Sequence, residues 1–239
     1  MRRSTDPATL ALCATLPKAF RRAACEAWLA DLGRARVPVS WAGDVDTLAA
    51  VADASRDRGG PLPPLALLLD AAWLDERSTL RRMVGAARQA AGIDTAVLRG
   101  PRPLAHAGLL AEEGIRVVVV DTLEDSRRGS RRPAPAGWRC RNPVWGLWEV
   151  QADPPRKPGV VSWLLHGSMP RPRPGGLHVL QAGRVAAERP VSGRLDRWMA
   201  WAERRLVGGR MRAAVPADLP ALVARGGQQP VSGSVLKAA

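Results

Sequence analysis

The stretch TAVLRGPRPLAHAGLLAEEGIRVVVVDTLED, from Thr95 to Asp125, holds one complete strand–helix–strand unit and decides the fold. Val117-Val118-Val119-Val120 is β-branched throughout and stops at Asp121, the pattern of a strand buried on both faces of a parallel sheet. Ahead of it Pro103 can open a helix, because its fixed φ suits a first helical residue. Leu104, Leu109 and Leu110 share one side of that helix, and Gly114 ends it two residues before the strand. The preceding strand runs from Ile93 or Thr95 to Leu98. A helix joining two such strands implies a right-handed βαβ crossover, so the chain reads as α/β.

The same alternation extends towards the N-terminus. Leu10 to Leu16 reads as a first strand, followed by a helix over Lys18 to Leu32 with Phe20, Ala24, Trp28 and Leu32 at helical spacing. Val37 to Trp41 is a second strand, and Asp44 or Asp46 can cap a helix carrying Val45, Leu48, Ala49 and Ala52 on one face. Leu65 to Leu69 is a third buried strand ending at Asp70. Asp75 to Ala91 is a helix with Leu80, Val84 and Ala87 inward and Arg77, Arg81, Arg82 and Arg88 on a solvated face.

Beyond Asp125 the segment SRRGSRRPAPAGWRCR has no periodicity and reads as a long loop. Pro143 to Val150 is strand-like, Asp153 to Pro158 a turn, Val160 to Leu165 a strand or short helix, and Leu177 to Gln181 the last strand. A helix over Ser192 to Leu206 presents Leu195, Trp198, Met199, Ala202 and Leu206 to the body. Pro216 to Arg225 reads as a small extra helix, with a loosely held tail from Gly226. About seven strands alternating with helices fit a closed or nearly closed parallel barrel, which puts functional side chains at strand C-termini. The positions so selected are Asp44, Asp70, Arg99, Asp121, Glu149 and Gln181. We expect a single domain over 1–239, with its core at about 10–206 and a C-terminal extension over 207–239.

With 239 residues, 46% of them hydrophobic, the chain can bury one large core. Lys and Arg total 36 against 22 acidic residues, a net charge of +14, which favours anionic partners. Only Lys18, Lys157 and Lys237 are lysines, Tyr is absent and Phe20 is the sole Phe, a bias that GC-rich coding produces without selection for nucleic acid. Cys13, Cys25 and Cys140 are scattered, with no CxxC pair, so neither a disulfide framework nor a zinc knuckle is expected. No apolar run approaches the roughly 20 residues of a membrane span, and Thr15, Pro17 and Lys18 interrupt the N-terminal apolar run. The expectation is a soluble, cytoplasmic protein without a cofactor.

Arg99-Gly100-Pro101, then Leu110 to Ile115, a strand, and Asp121 and Asp125 after it, resemble the polysaccharide deacetylase-like (NodB homology) family in order and spacing. Gly175-Gly176-Leu177-His178-Val179-Leu180-Gln181 looks like that family's last strand. The resemblance covers roughly residues 10–205 and implies a distorted seven-stranded parallel (β/α) barrel. Active members resembling this fold use an early Asp-Asp pair and an H-x-x-x-H pair around a zinc-like ion. Here the first strand, Leu12-Cys13-Ala14-Thr15-Leu16-Pro17, has no carboxylate, and Asp70-Ala71-Ala72-Trp73-Leu74 stands in place of the histidine pair. A catalytic zinc needs about three protein ligands, and these positions supply at most one, so no metal site is expected. Gln181 matches the family's general acid, and an amide cannot exchange a proton near neutral pH.

His178, at an odd separation from Gln181, falls on the opposite strand face, towards the helices. His106 reads as a helix-surface residue, and His166 ends an apolar run. Trp138, Trp145, Trp148 and Trp163 cluster in sequence and suit either core packing or stacking on sugar faces. Arg127, Arg128, Arg131 and Arg132, with Arg139 and Arg141, offer an anion-binding loop. The expected function is a catalytically degenerate deacetylase-like barrel binding a carbohydrate-like or anionic ligand through Arg99, Gln181, Trp145, Trp148 and Glu149. Two alternatives stand beside it. One is a hydrolase of C–N bonds with a rearranged catalytic set of Asp70, Asp121 and His178. The other is a polyanion or nucleic-acid binder using the arginine loop.

Overall fold

A computed structural model describes residues 6–18, 20, 22–32, 36–70, 76–99, 106–120, 140–144, 146–153, 172–184 and 194–225. Four β–α units come first: β1 (Ala8–Thr15), α1 (Arg22–Leu32), β2 (Val39–Gly43), α2 (Val45–Asp57), β3 (Leu65–Asp70), α3 (Arg77–Ala91), β4 (Thr95–Arg99) and α4 (Ala107–Glu112). Then follow β5 (Val117–Val120), β6 (Cys140–Val144), β7 (Leu147–Gln151), β8 (Leu177–Arg184), α5 (Arg194–Val207), β9 (Met211–Ala213) and α6 (Leu219–Arg225).

The strands form one sheet in the order β6-β7-β5-β4-β3-β2-β1-β8, with β9 beside β1. Seven of them, β8-β1-β2-β3-β4-β5-β7, are mutually parallel. The ends of this ribbon approach one another, and the Asp153 backbone N–H donates to the Val179 carbonyl at 2.7 Å just past β7. The result is the nearly closed parallel (β/α) barrel that the strand count implies.

Alternation along each strand sorts the core into two layers. Leu10, Leu12 and Ala14 of β1, Leu67 and Leu69 of β3, and Val118 and Val120 of β5 pack outward against Trp28, Leu48, Leu80, Leu109 and Leu195 of the helices. Ala11, Cys13, Ala42, Ala66, Leu68, Val97, Val117, Val119, Val150 and Val179 pack against one another inside. This explains why the β5 valines carry no period-2 pattern: both faces are buried. On the outer side Trp28 meets Phe20 and Trp41 edge-on, at ring centroid separations of 5.6 and 4.9 Å, locking α1 to β2.

Local chemistry sets the element ends. Asp44 caps α2, its carboxylate accepting the Thr47 backbone N–H at 2.9 Å, and is thereby committed to the helix. Gly92, at φ 61°, closes α3 in the left-handed conformation. Of the α3 arginines, Arg77 and Arg81 lie against Glu112, and Arg81 reaches Glu113 at 2.7 Å. That face therefore serves to dock α3 on α4.

Two differences from the sequence expectation stand out. The strand expected over Pro143 to Val150 is two antiparallel strands, β6 and β7, broken at Gly146, whose φ of 86° a turn requires. Pro143 is accommodated because β6 lies at the sheet edge, where a missing N–H costs no ladder bond. The second is β9, which the sequence pattern did not mark. It pairs with the start of β1, Ala8 opposite Met211, and leads into Ala214, Leu219 and Val223, which join the inner cluster. The residues from Val160 to Leu165 and from Gly226 onward lie outside the described residues. No described helix is long and apolar enough to cross a membrane.

Candidate functional site

Because the interior is filled by aliphatic side chains, the barrel is a packed core, and chemistry is confined to its ends. At the end where the parallel strands finish, the inner face of β1 reaches Thr15 and that of β4 reaches Arg99. The Arg99 Nη2 donates to Thr15 Oγ1 at 2.7 Å. Strands β2 and β3 lie between β4 and β1, so this bond spans the mouth. Thr15 is only 1% exposed, and Arg99 is partly buried, so the guanidinium is held at a partly desolvated position.

Asp70 ends β3 in direct register with Arg99. On the other side of β1, Gln181 pairs with Cys13, one pleat below Thr15, on the inner face that also carries Val179. Its Oε1 is buried and has no hydrogen-bond partner among the described residues. Arg99, Gln181 and the end of β3 thus converge on one mouth, together with Thr15, which the sequence reading passed over. The readable sign of Thr15 was its place as the last inward position of β1. Beneath them the Cys13 thiol, and Cys140 elsewhere in the inner cluster, are pushed up to about 12 by burial, so neither supplies a thiolate at neutral pH.

The remaining sequence candidates lie elsewhere. His178 shares the outer face of β8 with Leu180 and Ala182, as alternation implies. Its Nδ1 sits 3.2 Å from Asp153 Oδ2, and its Nε2 accepts the Arg173 backbone N–H at 3.4 Å. An accepting Nε2 places the proton on Nδ1, so the ring donates to Asp153 across the β7–β8 seam. Asp153, read from sequence only as the start of a turn, is therefore part of the barrel closure. Glu149 is buried beside Val118 on the outer face. Trp148 pairs with Val117 at the opposite end of β5 from the mouth and packs on the inner core. Asp121, Trp145, Arg127, Arg128, Arg131 and Arg132 lie outside the described residues.

Among the described side chains at the mouth, Thr15 offers a hydroxyl and Gln181 an amide, both weak ligands for a zinc-like ion. Among the described residues no group of three or more His, Cys, Asp or Glu side chains could hold one.

The chain folds as a nearly closed parallel (β/α) barrel that is shared by proteins of several activities. A Mycobacterium smegmatis protein assigned to the polysaccharide deacetylases superposes over 95% of this chain and 93% of its own, with a TM-score of 0.56 and 12% identity. The 4-alpha-glucanotransferase of Thermococcus litoralis matches over 90% of this chain and 38% of its own, with a TM-score of 0.57 and 10% identity. A mutant CE4-family pseudoenzyme with restored enzymatic activity matches over 90% of this chain and 68% of its own, with a TM-score of 0.47 and 11% identity. No protein-family model matches the chain, and no curated protein matches it at a significant level.

Proposed function

We propose that the chain is a deacetylase-like barrel that has lost metal-dependent hydrolysis and binds a carbohydrate-like or anionic ligand at its C-terminal mouth. The observation that carries this is Thr15 at the mouth end of β1, a hydroxyl bonded to Arg99 on the strand where the family resemblance implies an Asp-Asp pair. A fixed guanidinium recognises anions and hydroxyl oxygens. A hydroxyl at Thr15 and an amide at Gln181 leave both positions unable to take or give a proton near neutral pH. The resemblance in fold to saccharide-processing proteins favours a sugar as the ligand. The engagement of His178 with Asp153 weighs against a rearranged hydrolase that needs this imidazole.

The test combines elemental analysis of the purified protein with an assay of amide hydrolysis on N-acetylated oligosaccharides. The expected result is sub-stoichiometric zinc and nickel, no acetate release, and saccharide binding by calorimetry. Stoichiometric metal together with hydrolysis abolished by Asp70→Ala would overturn the proposal.

A further inference from the structure

We infer that the mouth takes a saccharide bearing a carboxylate, of the uronic acid class, with the acid on Arg99 and a sugar hydroxyl on Gln181. This rests on the saccharide-site reading above and narrows it to an acidic ligand. Two unmet demands at the mouth call for it, and they are opposite in kind.

The first is the Arg99 guanidinium. It has five N–H donors in a planar fork, and among the described residues one bond, to Thr15 Oγ1, is made. That bond fixes the plane and leaves donors for a second group, the geometry that a carboxylate meets bidentately. A carboxylate here makes charge-assisted hydrogen bonds that a neutral sugar does not.

The second demand is Gln181 Oε1, buried and without a partner among the described residues. An amide oxygen only accepts, so what satisfies it must be a donor, a hydroxyl or an N–H. A carboxylate or a fully ionised phosphate offers none there. Gln181 stands beside Cys13, two residues along β1 from Thr15, so its backbone lies one pleat repeat, roughly 6.6 Å of strand rise, below the residue that anchors the guanidinium. A ligand answering both must carry an anion and a hydroxyl a short, rigid distance apart, as a uronic acid does. The net charge of +14 draws such an acidic polymer from a distance.

The experiment titrates the full chain at physiological salt with a short oligogalacturonate and with its methyl ester, which keeps every hydroxyl and loses the charge. The acid is expected to bind about ten-fold tighter than the ester, the order given by charge-assisted hydrogen bonds. Arg99→Gln should abolish that preference, and Gln181→Leu should weaken acid and ester alike. Arg99→Lys keeps the charge without the fork and should retain only part of the preference, which guards against a variant that fails to fold. Equal binding of acid and ester overturns this inference and leaves the saccharide site standing. Binding of neither overturns both. A preference that survives in Arg99→Gln, or inorganic phosphate that competes as well as the oligogalacturonate, also overturns it.

Discussion

At the scale of single residues, burial decides which groups can react. Cys13 and Cys140 are held up to about 12 by burial, and Cys25 is raised to about 11, chiefly by burial with a contribution from Glu26. Folding therefore keeps protons on thiols that the unfolded chain releases from about their ordinary value of 9.0 upward. The unfolded state binds fewer protons in that window, so this stability is fully present below pH 9 and falls as pH rises towards 12. Chemical denaturation at stepped alkaline pH should show this decline, lessened in Cys13→Ala. A thiol reagent at neutral pH should label none of the three cysteines until denaturant is added, because all three are buried. Rapid native labelling of Cys13 would contradict its inward position.

Among the elements, the closure between β7 and β8 is the thinnest join, resting on the Asp153 N–H to Val179 bond and the His178–Asp153 pair. Replacing His178 by Ala removes its bonds to Asp153 and from the Arg173 N–H at a largely buried seam and should cost about 1–2 kcal/mol. The loss should be read by urea denaturation, with faster amide exchange at Asp153 than at β2 or β3. A variant as stable and as protected as the parent would show that the pair is incidental. The sequence made β3, β4 and β5 readable because strands covered on both faces need unbroken aliphatic runs, and the helix faces readable through their spacing. It hid the β6–β7 hairpin because Val144, Leu147 and Val150 alone resemble one strand, and only the backbone at Gly146 reveals the turn. It hid β9 because three residues, Met211-Arg212-Ala213, are too few for a pattern and owe their conformation to the start of β1. At the mouth, Asp70, Arg99 and Gln181 were legible as strand ends. Thr15 was read only as a missing carboxylate, since its bond to Arg99 joins residues far apart in the chain.

For the molecule as a whole, the inner core is completed from the C-terminal side. Ala214, Leu219 and Val223 belong to the same cluster as Ala11, Val117 and Val179, and Arg212 Nε donates to Thr9 Oγ1 at 2.8 Å. Leu219 is fully buried, so Leu219→Ala should cost about 2–5 kcal/mol, as expected for a core leucine. A thermal melt should register this as a clear drop in midpoint, whereas Val207→Ala, at an exposed side chain, should leave stability nearly unchanged. The arrangement has a consequence for biosynthesis. β1 leaves the ribosome well before β8 and β9, to which it bonds. Until then its apolar flank has only β2 beside it, so the nascent barrel must wait, exposed to proteases and dependent on chaperones, for its final third to arrive.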